Sequence, residues 1–355
     1  MARKKLQYEY VLDLGTYEMR LLHAEGVAPG EVHLKKLIQS EAPKEFVVST
    51  FIENPIMDAE MIKKRLRDLV DGIKDRNSEV IALLPDHAAI INLLLAPPKF
   101  SSREVENAVR EDMAPIMPLP IDQWHIIHQT MGVWEEDEIT IAMAIIKANL
   151  LEAGGLIQES GLSPQIIDLN FFNVANLIEY HLNSDENRGR NIALVHLGNE
   201  TTSIGVFRDG QVRSFLNRPV GGYDFTKKIS KHFHVPEAEA DQFKRNEVFF
   251  LPEYAPEQDG LYNFTVIRET FSVMTREIFS ALESYLTRFR ETSIHEIVIS
   301  GGGANFQNIQ ATLAANMNSQ VRPVAGLYSL MENGTPLGDE ARNSLAAACG
   351  AFFRE

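Results

Sequence analysis

Two stretches of this 355-residue chain repeat one another. "VLDLGTYEMRLLHAEG" runs from Val11 to Gly26, and "LVHLGNETTSIGVFRDG" runs from Leu194 to Gly210. Each is a short apolar run, a glycine and a second strand-like run, so that Gly15 falls on Gly198 when they are overlaid. A strand–turn–strand unit kept twice in one chain points to a fold made of two related halves. The copies differ at one chemically informative position, which is Asp13 in the first and His196 in the second.

The first copy continues as a meander of strands over Tyr8–Leu12, Met19–Ala24 and Val32–Ile38, with a bend over Asp13–Thr16. Asp58 is placed to cap a helix whose Ile62, Leu66, Leu69, Val70 and Ile73 share one face. Val80–Leu84 is fully apolar, as an interior strand is. From Ala89 to Ser160 the texture changes. A strand over Ile90–Leu95 is followed by a helix with Ser101 and Glu104 in capping-box spacing, and Pro115, Pro118 and Pro120 end that helix. Strands Ile126–Gln129 and Ile139–Ile146 and a helix over Leu150–Glu159 complete what reads as a compact module inserted into a larger domain. The second copy starts at Asn191, and its third strand, Gln211–Leu216, follows the Asp209–Gly210 hairpin signal. A long helix is predicted over Thr265–Arg290, with Ile267, Phe271, Met274, Ile278, Leu282, Tyr285 and Phe289 on one stripe. Strand Glu296–Ser300 then runs into Gly301-Gly302-Gly303, and a last helix spans Glu340–Phe353.

Composition narrows the function. The formal net charge of −15 argues against a nucleic-acid partner held through phosphates. The one cysteine, Cys349, excludes an internal disulfide framework and fits a reducing cytoplasm. Arg3, Lys4 and Lys5 are followed by no apolar stretch of signal-peptide type, and Pro85, Asp86 and His87 interrupt the most apolar run before it could span a bilayer. His125, His128, His232 and His234 show no metal-ligand spacing.

Glycine turns between strands, each with a hydroxyl beside them, can set backbone N–H groups against phosphate oxygens. Thr16, Thr201 and Thr202 supply hydroxyls, and Arg20 a cation. Gly301, Gly302 and Gly303, directly after a buried strand, would let a nucleoside approach the backbone. Singly, each turn is an ordinary hairpin glycine. Turn, turn and triple glycine in this order along a duplicated chain is far more specific.

That order resembles the superfamily of actin, the heat-shock ATPases and the sugar kinases, and within it the PilM family of type IV pilus assembly, a relative of the cell-division protein FtsA. "LDLGTYEMR" resembles the first phosphate motif and "LVHLGNETT" the second. "EADQFKR" resembles the element that meets the ribose, with Asp241 and Lys244 in register. "ISGGGANF" resembles the adenosine loop, "NSLAAACGAFFRE" the closing connector helix, and "EVENAVREDMAPIMPLP" the inserted subdomain. The resemblance implies an α/β, actin-like fold with duplicated ribonuclease-H-like cores. In this division residues 1–88 open the first domain, 89–162 form the insertion, 163–190 and 336–355 complete the first domain, and 191–335 form the second.

It also implies an ATP site held by Asp13, Gly15, Thr16, Arg20, Gly198, Thr201, Thr202, Asp241, Lys244, Gly301, Gly302 and Gly303, with Asp13 the metal ligand. Three positions depart from the family pattern. His196 stands where an aspartate usually holds Mg²⁺, and imidazole is a poor ligand for that hard cation. Asn170 stands where a glutamate often orients the attacking water, and an amide cannot take its proton. Glu18 puts a negative charge near the phosphates. Together these imply a weakened Mg²⁺ seat and a pseudo-ATPase.

The implied function is a cytoplasmic scaffold, peripheral at the inner membrane, that docks the cytoplasmic tail of a PilN-like bitopic membrane protein. The pilus motor ATPase and self-association are further implied contacts. An active, ATP-hydrolysing protein that polymerises or drives assembly is the alternative. An FtsA-like membrane-tethered filament is disfavoured, because no amphipathic tail follows the connector.

Overall fold

The computed structural model describes residues 6–42, 59–71, 73, 77–97, 100–247 and 264–354. The cap expected at Asp58 lies outside them.

The first half opens with strands β1 (Tyr10–Leu14), β2 (Glu18–Ala28) and β3 (Glu31–Glu41), followed by helix α1 (Ala59–Val70) and strand β4 (Glu79–Leu84). All five residues of β1 are buried, and so are five of the six in β4, as expected of strands covered on both faces. In α1, Ile62, Leu66, Leu69 and Val70 form the buried stripe. The insertion holds β5 (Ile90–Ala96), α2 (Ser102–Met113), β6 (Trp124–Trp134) and β7 (Asp137–Ile146). Helix α3 (Lys147–Glu159) and strand β8 (Ser163–Leu169) return the chain to the first sheet, and α4 (Asn170–Leu177) and α5 (Glu179–Leu182) lead out of it.

The second half repeats the plan with β9 (Asn191–Leu197), β10 (Thr202–Arg208), β11 (Gln211–Arg218), α6 (Gly222–Phe233), α7 (Glu237–Glu247), α8 (Phe264–Phe289), β12 (Glu296–Ser300), α9 (Ile309–Met317) and β13 (Gln320–Pro323). Strands β14 (Ser329–Glu332) and β15 (Thr335–Pro336) precede the last helix, α10 (Asp339–Gly350).

The two large sheets have the same internal order. One contains β3-β2-β1-β4-β8 and the other is β11-β10-β9-β12-β13. In each, three antiparallel strands are followed by two that run parallel to the first. This is the duplication that Gly15 and Gly198 announce.

Several boundaries differ from the expected ones. Asp13 is the fourth residue of β1, not part of the bend. Strand β6 runs well beyond Ile126–Gln129, because pairing with β7 extends it where side-chain alternation gives no signal. Strand β14 pairs with β3, so the chain has rejoined the first sheet by Ser329, ahead of residue 335. The insertion's own core (Leu94, Val105, Val109, Met113, Trp124, Ala142) ends at Ile146. Leu156 and Ile157 of α3 instead pack with α1 in the core of the first half.

Helix α2 starts where its capping box dictates. Ser101 N–H donates to the Glu104 carboxylate at 2.7 Å, and the Glu104 N–H donates back to Ser101 Oγ. Ser101→Ala is expected to cost about 1 kcal/mol, read as a lower midpoint in urea denaturation.

The three-stranded insertion also touches the second half. The Arg213 guanidinium donates to the Val133 carbonyl, and Trp134 meets Phe289 edge-on at 5.0 Å. Among the described residues no helix is long and apolar enough to cross a membrane.

Candidate nucleotide-binding cleft

The ends of β1, β9 and β12 converge between the halves on one cavity of about 550 Å³. Its wall includes Gly15, Gly198 and all three of Gly301, Gly302 and Gly303. The twin glycines serve one purpose. A Cβ at Gly15 would lie 2.6 Å from the Glu18 carbonyl oxygen, and one at Gly198 would lie 2.8 Å from that of Thr201. Each turn folds its chain back over a position where a side chain has no room.

In the first turn, the β1–β2 register sets Asp13 opposite Arg20. Arg20 Nη1 lies 3.0 Å from Asp13 Oδ2, and Nη2 lies 2.8 Å from Glu18 Oε2. Glu18 therefore meets the cavity with its charge countered by Arg20, a pairing the motif alone does not reveal. Burial holds the Asp13 carboxyl above its ordinary value against the opposing pull of Arg20. Asp13 Oδ1 is buried and has no hydrogen-bond partner among the described residues. Thr16, also buried, lines the cavity.

The second turn carries His196, Gly198, Asn199, Glu200 and Thr201 into the wall. His196 Nδ1 lies 3.0 Å from Ser300 Oγ, because β9 and β12 pair these residues. Burial, helped by the nearby Arg20 charge, lowers the His196 pKa to about 4, so the ring is neutral at pH 7. Thr202 is a correction. It lies in strand β10, fully buried and outside the cavity wall, and its hydroxyl donates to the Val220 carbonyl at 2.7 Å.

The third loop is braced by α10. The Gly301 N–H donates to the Asn343 carbonyl at 2.9 Å, and Asn305 Nδ2 donates to Glu340 O and Ser344 Oγ. Asp241 is a second correction. Lys244 lines the cavity, but Asp241 does not. Its carboxylate lies 2.5 Å from Lys244 Nζ and accepts a hydrogen bond from Tyr17 O–H at 2.7 Å. Arg245 stacks over the Tyr17 ring at 4.7 Å. Burial, and then the bond to Asp241, raise Tyr17 to about 12, so the phenol keeps its proton and donates it. The first turn and α7, from opposite halves, are thus tied directly.

Asp86, His87 and Glu200 are among the wall residues that the sequence did not mark as part of a site. Asp86, just past β4, accepts from the Phe171 N–H at 2.9 Å and from Ser203 O–H at 2.6 Å. It joins the first sheet, the start of α4 and the second sheet, and burial raises its pKa to about 6. His87 and Glu200 face each other at 3.4 Å from opposite halves, and burial raises Glu200 to about 7. Asn170, which the sequence did single out, lines the cavity beside Asp86. Its buried Oδ1 has no partner among the described residues.

Toward Mg²⁺ these residues offer few oxygens of their own, and waters and phosphates would have to supply the rest of the shell. The cation prefers six oxygens in near-octahedral order. One oxygen of Asp13 is committed to Arg20, the other is buried without a hydrogen-bond partner among the described residues, as is Asn170 Oδ1, and His196 offers a neutral imidazole. Among the described residues no group of three or more His, Cys, Asp or Glu side chains could hold a metal.

Two sheets of like order, closing on a cavity ringed by three glycine loops, define an actin-like protein. Solved structures agree. The protein of a PilM-PilN type IV pilus biogenesis complex superposes with a TM-score of 0.79, at 20% identity over 99% of both chains. MreB 5 of Spiroplasma citri, bound to AMPPNP, gives 0.53 at 14% identity, over 96% of this chain and 94% of its own. Among curated proteins, the cell division protein FtsA of Bacillus subtilis (strain 168) is 24% identical over 159 residues, 41% of this chain and 36% of its own length. The chain thus aligns with about a third of that relative. Residues 11–354 match the family model described as type IV pilus assembly protein PilM. The chain belongs to the PilM family.

Proposed function

We propose that this chain is a cytoplasmic scaffold of type IV pilus assembly, held at the inner membrane by a PilN-like partner, whose cleft binds ATP and turns it over weakly or not at all. Family membership supports the pilus role, and the likeness to the protein of a PilM-PilN complex supports the choice of partner. In the proposed nucleotide site Gly15, Thr16, Gly198 and Thr201 face the phosphates, Lys244 approaches the ribose, and Gly301, Gly302 and Gly303 the adenosine.

One observation carries the pseudo-ATPase reading: a neutral His196 and the amide of Asn170 line the cavity at the two places where the family resemblance leads one to expect carboxylates. Single-turnover measurements with ATP and Mg²⁺ test it. Turnover is expected to be near background in the wild type and to rise at least about tenfold in the double variant His196→Asp, Asn170→Glu. Fast wild-type hydrolysis would end this reading.

Asp86 favours the alternative of an active ATPase. It is a carboxylate in the cleft wall beside Asn170, with a pKa of about 6 that suits a general base. If wild-type turnover is fast and Asp86→Asn abolishes it, the active reading replaces the scaffold.

For docking, the insertion offers apolar side chains to solvent, notably Ile127 and Val133 on β6, which are 53% and 52% exposed. Its β6 lies at the sheet edge, where an extended tail could add as a strand. A synthetic PilN-type tail should bind the full chain in calorimetry, and Ile127→Glu should weaken it by about tenfold or more. Absence of binding to the wild type would remove the partner assignment.

A further inference from the structure

We infer that nucleotide binding in this cleft takes up a proton, received by Glu200 and offered to a phosphate oxygen as an O–H hydrogen bond. The inference rests on the nucleotide reading above, in which Gly198 and Thr201 face the phosphates, and concerns the acid that lies between them in the chain.

Position comes first. Glu200 belongs to the second glycine turn, between β9 and β10, and its side chain lines the cavity although only 6% of it is exposed. Helix α6 pins that turn. The Gly222 N–H donates to the Gly198 carbonyl at 3.0 Å, and the Tyr223 N–H donates to that of Asn199 at 2.7 Å. A Cβ at Gly221 would lie 2.5 Å from the Asn199 carbonyl oxygen, so helix and turn are in close contact.

The surroundings of the carboxylate come second. Glu200 Oε2 is buried and has no hydrogen-bond partner among the described residues. The titratable and charged groups that face it are His87, at 3.4 Å from the opposite half, and Tyr223, Asp224 and Lys227 of α6. Lys227 Nζ lies 3.0 Å from Asp224 Oδ1, so these two charges act on Glu200 in opposite senses. Burial dominates, and it is this that brings Glu200 to about 7.

A phosphate held by the turn would set a second anion against this buried carboxylate. Ionised, Glu200 repels it. Protonated, it presents an O–H to an anionic oxygen, which is a strong class of hydrogen bond. The proton comes from solvent and ends on Glu200, and no other bond is made or broken. Bound phosphate therefore favours the protonated acid, and affinity rises as pH falls.

The test is calorimetric titration of the full chain with ATP, and separately with ADP, at fixed Mg²⁺ between pH 6.5 and 8.5. Glu200→Gln keeps a donor and cannot ionise. At pH 8.5 it should bind about fivefold or more tighter than the wild type, and the two should converge at pH 6.5. The ligand's own phosphates and Asp86 also titrate near this range, but both are common to the two proteins and subtract out. In two buffers of different ionisation enthalpy at pH 7.5, the wild type should take up about half a proton more than the variant. Thermal melting guards against misfolding. If Glu200→Gln does not fold, net proton uptake by the wild type decides.

Equal pH dependence in wild type and variant, or no net proton uptake by a wild type that binds, overturns the inference and leaves the nucleotide reading intact. No binding of either nucleotide at any pH removes the nucleotide reading itself, and this inference with it.

Discussion

Gly350→Ala is expected to destabilise the protein by about 3 kcal/mol or more, read as a collapse of the urea midpoint. Gly350 ends α10 where that helix crosses α4, and a Cβ there would lie 1.7 Å from the carbonyl oxygen of Asn173 and 2.5 Å from its carbonyl carbon. The obstacle is backbone, so no rotamer change relieves it. The two connecting helices would have to separate, loosening Phe171, Val174, Leu345 and Ala348 in the core shared by both halves. Gly155, in the interior of α3, is the matched control. Its Cβ would meet nothing within 4 Å, and Gly155→Ala should raise stability by about 0.5–1 kcal/mol through helix propensity. Wild-type stability in Gly350→Ala would refute close packing of the connectors.

Asp86→Asn is expected to change how stability depends on pH. The Asp86 carboxyl takes up its proton near pH 6 in the folded chain and near 3.8 when unfolded. Its charge therefore opposes folding. The penalty is absent below pH 3.8, grows between 3.8 and about 6, and is complete above that. At 1.36 kcal/mol per pH unit the interval corresponds to about 3 kcal/mol. Asparagine cannot ionise, yet its Oδ1 still accepts from the Phe171 N–H, and its Nδ2 can donate to Ser203 Oγ. Variant and wild type should match near pH 4, with the variant gaining up to about 3 kcal/mol by pH 7. Glu200, raised like Asp86, and His196, lowered, also titrate in this range in opposite senses, but both are present in each protein and subtract out. Asp86→Ala, which strands the Phe171 N–H and the Ser203 hydroxyl, should be about 2 kcal/mol less stable than Asp86→Asn at every pH. Parallel pH profiles for Asp86→Asn and wild type would refute the buried, ionising carboxylate.

What the sequence disclosed follows from how local each signal is. The twin glycines, the capping box at Ser101 and the stripe along α8 are short-range patterns, and the structure places all of them. The same logic fails where a partner is remote. Thr202 sits beside a glycine turn, as a phosphate-facing hydroxyl would, but strand register turns it toward Val220. Asp241 is one turn from Lys244, so their proximity is legible, while its bond to Tyr17 crosses 224 residues and is not. Asp86 reads in the sequence only as a charge interrupting an apolar run. Its role depends on Phe171 and Ser203, which come together only after both halves have folded. Strand β6 is mostly exposed on both faces, so alternation could not reveal its length.

The link from Arg213 and Trp134 across to Val133 and Phe289 makes the insertion a strut that leans on the far half of the molecule. Any force that swings one half against the other must strain or break that prop. A ligand that clamps the cleft and a peptide that grips the strut would therefore do work on each other, and detailed balance requires the exchange to be even-handed. If a nucleotide changed the peptide's grip by some factor, the peptide would change the nucleotide's by the same factor.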